Sequence, residues 1–348
     1  MGVRAGKQME RMIFRATVGW DIGGAHLKAA RVENGRVVAA AERATPLWQG
    51  LDSLEAAFAE LSERLGPADA HGVTMTGELC DAFASRREGV IGLAAIAARH
   101  LPAPRLYAGR AGFVAADAAA DHAARIASAN WRASAEAAAL YKPDALFIDI
   151  GSTTTDLIPI VGGEVAAIGE DDAGRLAAGE LVYAGLTRSF VMAMAARAPF
   201  AGAWTPLMNE YFAAAADVRR VLGDLPEDAD LMATADGRDK SAQASRARLA
   251  RMIGRDAADA PAAAWAGLAA WFAEAQLRDV SDAAFLRLSR GDVARDAPVI
   301  AAGVGEQVAR EVARRLGRGC VGFAELIGAD RAASVCAPAA AVALLIAR

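Results

Sequence analysis

The sequence predicts an α/β protein of two lobes, each built on a sheet that opens with a β-hairpin. Three observations carry this. An acid-bearing hairpin pattern occurs twice, around Asp21 and around Asp149. Strand-like and helical stretches alternate after each copy. At 348 residues, the chain is long enough for two domains or for one fold with two lobes.

In the first copy, residues 17–40, an apolar strand carries Asp21 near its end, Gly23-Gly24 turns the chain into a second strand, and Asn34-Gly35 is the hairpin turn into a third. Leu51–Leu65 has helical periodicity, while Gly72–Thr76 and Arg105–Tyr107 read as strands. The alanine-rich stretch Val114–Leu140 reads as helix crossing from one lobe to the other. Residues 144–168 repeat the opening design: Leu146–Ile148 lead to Asp149, then Gly151, the hydroxyls Ser152–Thr155, the strand Leu157–Val161 and the turn Gly162-Gly163. Arg175–Ala196 reads as mostly helical, and Phe200–Pro261, rich in Pro, Asp and Arg, as an irregular insertion suited to substrate contacts. A strand Pro298–Ala302, the turn Gly303-Val304-Gly305, a helix Glu306–Leu316 and an apolar helix Pro338–Ala347 complete the chain. The predicted lobes are 15–140 and 141–348, the second with a substrate-binding insertion at about 198–262.

Composition narrows the function classes. Lys plus Arg number 38 against 42 Asp plus Glu, a formal charge of −4, which excludes a globally basic nucleic-acid binder. With 54% hydrophobic and 23% charged residues, the chain can bury a core and is no disordered segment. A membrane-spanning helix needs roughly 18 apolar residues. The uncharged stretch Ala332–Ala347 falls short and is broken by Pro338, and Ala260–Ala273 is shorter still; both read as buried segments. Met1–Thr17 lacks an apolar h-region, so no secretory signal is expected, and Gly6 stands where the myristoylation pattern needs a hydroxyl. Cys80, Cys320 and Cys336 are odd in number and set in apolar surroundings, which reads as thiols in a reducing cytoplasm. His26, His71, His100 and His122 show no metal-ligand spacing. A dinucleotide fingerprint fails at Val308, where the third glycine belongs, and Gly237–Ser241 lacks the glycine of a Walker loop.

Two lobes that each open with an acid-bearing hairpin, facing each other across a cleft, resemble the actin-like ATPase superfamily (ribonuclease H-like fold). Asp21-Ile22-Gly23-Gly24 with Lys28 looks like its first phosphate loop, Asp149-Ile150-Gly151-Ser152-Thr153 like the second, and Ala301–Gly305, with Gly303 and Gly305, like the loop under the nucleoside. Gly23, Gly24 and Gly151 let backbone amides approach phosphate oxygens, Ser152, Thr153 and Thr154 add hydroxyl donors, and Lys28 adds positive charge. Magnesium takes one or two carboxylates plus phosphate oxygens, which suits Asp21 and Asp149. The alternative for each aspartate is turn capping, and for Lys28 a solvated strand position.

Further stretches resemble one family. They are Thr74–Phe83 with Thr76 and Glu78, Ala129-Asn130-Trp131, Thr234–Ser241 with Arg238 and Lys240, and Arg248–Asp256. Together they are similar to the methanofuran/methylofuran-biosynthesis synthases of tetrahydromethanopterin-linked one-carbon metabolism, relatives of hydantoinase and oxoprolinase A-type subunits. The resemblance implies a cytoplasmic transferase that condenses an aminomethylfuran diphosphate with the phenol of a tyrosine- or tyramine-glutamate acceptor and releases diphosphate with the aid of magnesium. It implies metal-binding and catalytic roles for Asp21 and Asp149, leaving open which is ligand and which is base, and a role for Lys28 on the developing diphosphate charge. Arg238 and Lys240 would hold diphosphate or the glutamyl carboxylate, or form a solvated charged loop. Trp131 would stack on furan or phenol, or belong to the core. Thr76 and Glu78 would approach the cleft, Glu78 as a further acid candidate, and Asn130 would bind substrate. Two other readings stand beside this one: an ATP-dependent kinase or hydantoinase-type amidohydrolase, and a non-catalytic nucleotide-binding pathway protein. No nucleic acid or membrane partner is expected, and oligomeric state is not legible.

Overall fold

A computed structural model describes residues 14–227 and 229–348. The expectations for Gly6 and for most of Met1–Thr17 lie outside the described residues. The chain forms two compact units, one reaching to Ala133 and including Pro338–Arg348, the other Ser134–Ala337.

The first unit opens with an antiparallel meander, β1 (Ala16–Ile22), β2 (His26–Glu33) and β3 (Arg36–Ala44). The turn into β3 is Asn34-Gly35, with φ of 49° and 78°, the left-handed pair that a tight hairpin requires. After α1 (Asp52–Leu65), β4 (Ala70–Met75) lies parallel to β1; α2 (Arg86–His100), β5 (Arg105–Tyr107), β6 (Phe113–Ala115) and α3 (Ala119–Ile126) follow, giving the sheet order β3-β2-β1-β4-β5-β6. β1 is buried on both faces, as a central strand with covered sides should be. On one face Trp20 packs against Phe58 of α1, with ring centroids 5.1 Å apart.

Trp20 Nε1 donates to His71 Nδ1 at 3.2 Å, and burial lowers the His71 pKa below its ordinary value. A neutral His71 is therefore part of the folded state. Because its folded pKa is depressed, this contribution is present above about pH 6.5 and is lost as pH falls through the folded value. Urea midpoints of the wild type are expected to drop between pH 7 and 5. His71→Gln, which keeps an acceptor without a titrating ring, should flatten that drop, and equal slopes for the two proteins would reject the assignment.

The second unit begins within α4 (Asn130–Ala139) and repeats the hairpin with β7 (Ala145–Ile150) and β8 (Thr155–Val161), followed by β9 (Glu164–Val165), α5 (Asp172–Ala178), β10 (Leu181–Val182) and α6 (Val191–Met194). The ribbon β11 (Arg197–Phe200) and β12 (Ala203–Pro206), with α7 (Ala215–Leu222), α8 (Ala242–Arg251) and the start of α9 (Ala262–Leu288), encloses a separate apolar cluster around Phe200, Val218, Leu249, Trp265 and Phe272. Then come β13 (Val299–Ala302), α10 (Glu306–Arg315), β14 (Cys320–Gly322), α11 (Phe323–Leu326) and α12 (Arg331–Val335), with sheet order β10-β8-β7-β13-β14. The last helix, α13 (Ala337–Ile346), returns to the first unit.

Four expectations change. The lobe boundary falls at 133/134, ahead of 140/141, and Pro338–Arg348 belongs to the first unit because two glycines make room for α13. A Cβ on Gly19 would lie 1.9 Å from the Ala339 carbonyl oxygen, one on Gly72 3.0 Å from that of Val342, and Thr17 Oγ1 donates to the Ala343 carbonyl at 2.8 Å. Val114–Leu140 is two helices, broken where Ser128 takes a φ of 50°. Arg175–Ala196 is mostly non-helical, and within it Gly185 packs so closely on Ser152 and Thr153 that a Cβ would come within 2.4 Å of Thr153 backbone atoms. Phe200–Pro261 is more regular than expected, holding α7 and α8 on the cluster just described. Among the described residues, no helix is long and apolar enough to cross a membrane, and no disulfide joins Cys80, Cys320 and Cys336.

Candidate functional site

The two hairpins match hydrogen bond for hydrogen bond. Gly23 N donates to His26 O at 2.9 Å, and Gly151 N donates to Thr154 O at 2.9 Å. Each turn sets the register so that the penultimate residue of the first strand faces a residue seven positions on: Asp21 opposite Lys28, and Asp149 opposite Asp156. Both aspartates are buried at the carboxyl ends of their strands, where open α/β sheets bind ligands.

In the first unit, Thr74, Asp21, Lys28 and Glu42 occupy successive strands at paired positions on one face. Lys28 Nζ lies 3.9 Å from Glu42 Oε2, so part of its charge is answered within the sheet. The residue opposite Lys28 on β3 was not anticipated from sequence. A Cβ on Gly24 would meet nothing within 4 Å, so packing does not demand glycine there, whereas backbone access to a ligand would. Thr76 follows β4 and donates its N–H to Ile22 O at 3.0 Å, beside Gly23. Glu78 is buried deeper than its reading as a cleft acid implied: it accepts from Ser128 Oγ at 2.8 Å, Arg86 Nη2 lies 3.0 Å from the same hydroxyl, and the arrangement holds the break between α3 and α4. At the start of α4, the Asn130 side chain accepts from the Trp131 N–H, and Trp131 is 3% exposed with the Arg132 guanidinium carbon 6.0 Å from its ring centroid, a core position.

In the second unit, Asp149 faces Asp156 across the strand pair, and Asp156 is engaged by Arg175. Arg175, 2% exposed, bonds to the Asp156 carboxylate. Burial pushes the Asp156 carboxyl up, against the opposing pull of that guanidinium. Asp156 was missed in the sequence, although counting outward from the Gly151–Thr154 turn places it opposite Asp149. Ser152, Thr153 and Thr154 are half-buried on the turn. The Ser152 carbonyl accepts from Thr187 N at 3.1 Å and from Arg188 N at 2.8 Å, and Arg188 Nη1 donates to Thr153 Oγ1 at 3.4 Å. Arg188 is a second residue missed from sequence, since it lies in the stretch read as helix. A Cβ on Gly303, whose φ is 86°, would lie 2.3 Å from Asp149 Oδ1, and one on Gly305 2.4 Å from Ile150 Cγ2. These two glycines let the end of β13 close onto Asp149 and Ile150.

Arg238 and Lys240 lie in the insertion, in a loop of mutual contacts. Lys240 Nζ donates to Asp230 O at 2.6 Å, the Arg238 side chain is exposed, and Asp236 receives the Arg238 N–H at 3.2 Å. Behind them Arg248, wholly buried, donates to Asp217 at 2.7 Å, Asp236 at 3.0 Å and the Asp239 carbonyl at 3.2 Å.

Magnesium can be tested against these donors. Among the described residues, no three or more His, Cys, Asp or Glu gather as a site made wholly of protein ligands would require. Each hairpin instead supplies one buried aspartate beside a turn whose glycine, Gly24 or Gly151, has room for a close ligand. That sparse oxygen set fits an ion that keeps waters and takes phosphate oxygens.

Two sheets of matching order, each opening on an acid-bearing hairpin and continuing with parallel strands, define the actin-like ATPase class of fold. A chain of acetone carboxylase, in a nucleotide-free structure, superposes with a TM-score of 0.59 over 88% of this chain and 68% of its own, at 12% identity, a likeness of fold alone. A family model described as hydantoinase/oxoprolinase matches residues 69–348. The (4-{4-[2-(gamma-L-glutamylamino)ethyl]phenoxymethyl}furan-2-yl)methanamine synthase of Methanocaldococcus jannaschii is 31% identical over 69% of this chain and 72% of its own length. The synthase of the same name from Methanococcus vannielii is 34% identical over 32% of this chain, and the match spans 50% of that protein. The chain belongs to the hydantoinase/oxoprolinase family.

Proposed function

We propose that the protein is an ether-forming transferase of methanofuran-type coenzyme biosynthesis. It joins the methylene carbon of an aminomethylfuran diphosphate to the phenol oxygen of a tyrosine- or tyramine-glutamate acceptor and releases diphosphate. The support that weighs most is the relative 31% identical over 69% of the chain, whose name spells out a phenoxymethyl link to furan, that is, an aryl ether.

The bond from the methylene carbon to the diphosphate oxygen breaks, and its electron pair leaves with that oxygen. The furan ring spreads the positive charge left on carbon, and the phenol oxygen supplies the pair for the new C–O bond. A phenol has a pKa of about 10, so its proton must pass to a base, for which Asp21 and Asp149 are the proposed carboxylates. The turn of either unit, Gly23 and Gly24 in the first or Gly151 with the hydroxyls of Ser152–Thr154 in the second, would orient a leaving diphosphate, whose charge grows as the bond breaks. Bound magnesium, held by Asp21 or Asp149, would offset that charge. Lys28, drawn partly toward Glu42, adds a weaker cationic contribution.

Incubation with magnesium, the furan diphosphate and a glutamyl-tyramine, without ATP, is expected to yield ether and diphosphate in equal amounts by mass spectrometry and phosphate assay. Product formed only when ATP is added would move the protein to the kinase-like alternative.

A further inference from the structure

The second glycine-hydroxyl turn rests on the segment 184–188 along its length. Gly151 O accepts from Leu186 N at 2.9 Å, Ser152 O accepts from Thr187 N at 3.1 Å and Arg188 N at 2.8 Å, and Thr155 Oγ1 donates to Ala184 O at 2.7 Å. Within that segment Gly185 abuts the turn so closely that a Cβ would lie 2.4 Å from Thr153 backbone atoms, and any shift of Gly185 is therefore passed on. The groups that fix Gly185 come from two helices of the second unit. Its carbonyl accepts from Gln276 Nε2 at 2.5 Å and from Ser189 Oγ at 3.2 Å, and Gln276 Oε1 accepts from Arg219 Nη2 at 2.7 Å. Gln276 is 2% exposed and stands on α9 in the buried row Leu268, Phe272, Val280 and Ala284, whose other members are apolar. An amide in such a row is unfavourable unless both of its ends are bonded. Both are, and the partners settle its orientation, since a carbonyl takes the NH₂ group and a guanidinium the oxygen.

We propose that Gln276 is a positioning residue for diphosphate binding at the second turn: anchored by Arg219 of α7, it holds the Gly185 carbonyl and thereby sets the amides and hydroxyls of Ser152–Thr154 where phosphate oxygens meet them. This role rests on the diphosphate binding proposed above. Packing alone does not call for the amide. A methionine of similar volume would complete the apolar row, and Gly185 would keep its bonds to Ser189. What the amide adds is a directed hydrogen bond onto a residue that touches Ser152 and Thr153. Donors that meet developing charge act through their placement, and a displacement of about 1 Å can cost on the order of 10²-fold in rate. Arg219 and its second partner, Asp224 at 3.0 Å, lie in the insertion, so the same relay ties the order of that region to the turn.

The test is binding of inorganic pyrophosphate, with magnesium, to the full chain by isothermal titration calorimetry at about pH 8, where a glutamate is ionised, alongside thermal melting. Gln276→Met removes the amide at similar volume. Gln276→Glu keeps an acceptor for Arg219 but loses the donor to Gly185, so it should melt near wild type. Both variants are expected to bind pyrophosphate about tenfold more weakly, the scale of one lost hydrogen bond. In turnover, Gln276→Glu should lower kcat and leave KM for the phenolic acceptor unchanged, a split that general loss of fold would not give. Pyrophosphate bound by Gln276→Glu as tightly as by wild type overturns the positioning role and leaves the proposed reaction standing. Weaker binding in both variants, with no ether formed by wild type, supports the positioning role and overturns the reaction. No pyrophosphate binding to wild type overturns the positioning role together with the diphosphate binding on which it rests.

Discussion

Arg248→Ala is expected to lower the unfolding free energy by about 3–5 kcal/mol, the cost of removing one partner from a buried ion pair. Arg248 is wholly buried in α8 and spends its donors on the Asp217 carboxylate, Asp236, the Asp239 carbonyl and Ser245 Oγ. Alanine would leave Asp217, itself buried, relying on the Ser245 hydroxyl at 2.7 Å, the Ala214 N–H at 3.1 Å and Arg220 at 3.4 Å. Asp236 fares better. Against the upward push of burial, the Arg238 N–H and the Arg248 guanidinium hold its carboxyl below the ordinary range, and Arg251 at 3.2 Å would remain after the substitution. A domain is stable by only about 5–15 kcal/mol, so the loss should unfold much of the insertion at moderate urea. Arg248→Lys keeps a charge but loses the fork and should fall between alanine and wild type. Urea unfolding followed by circular dichroism reads the effect, and a loss under about 1 kcal/mol for alanine would show that the network is not a stabilising hub.

This network also shows where sequence reasoning stops. Thr234–Ser241 and Arg248–Asp256 are among the stretches that carry the family resemblance, and the alternating charges of the first read as either a ligand loop or a solvated surface. Composition cannot distinguish a buried arginine from an exposed one, because burial of Arg248 depends on Asp217, far away in sequence on α7. The hairpins were legible for the opposite reason. Their hydrogen bonds close within a few residues, so Asn34-Gly35 and the repeated acid, glycine and strand pattern carry the local geometry themselves. The placement of α13 was not legible, since it depends on Gly19 and Gly72, paired across two strands more than 250 residues before it. Arg188 escaped because Gly185 and Ser189 trade their side-chain and backbone contacts for a packed loop where apolar spacing suggests helix. The two sheets thus have the order that the repeated hairpins suggested, while the neighbours of the second turn are set by packing.

The largest catalytic effect is expected at Asp149. Asp149→Asn preserves the shape of the side chain but removes its charge, and a loss of about 10²–10³ in kcat is the scale for deleting one group that acts on developing charge. The neighbouring aspartate supplies the control. Asp156 faces Asp149 across the strand pair and is bound to the buried Arg175, so Asp156→Asn should act mainly on stability, lowering the melting temperature by weakening a buried ion pair. Asp149→Asn should leave the melting temperature near that of wild type, because the amide keeps the size and shape of the carboxylate. Gly303→Ala separates geometry from charge: its Cβ would intrude on Asp149 Oδ1, so it should lower kcat while the carboxylate remains. The measurements are single-turnover diphosphate release and thermal melting on the three variants. Full activity in Asp149→Asn, or a loss of activity that tracks the loss of stability across all three, would remove Asp149 from the reacting groups and leave it a turn residue of β7.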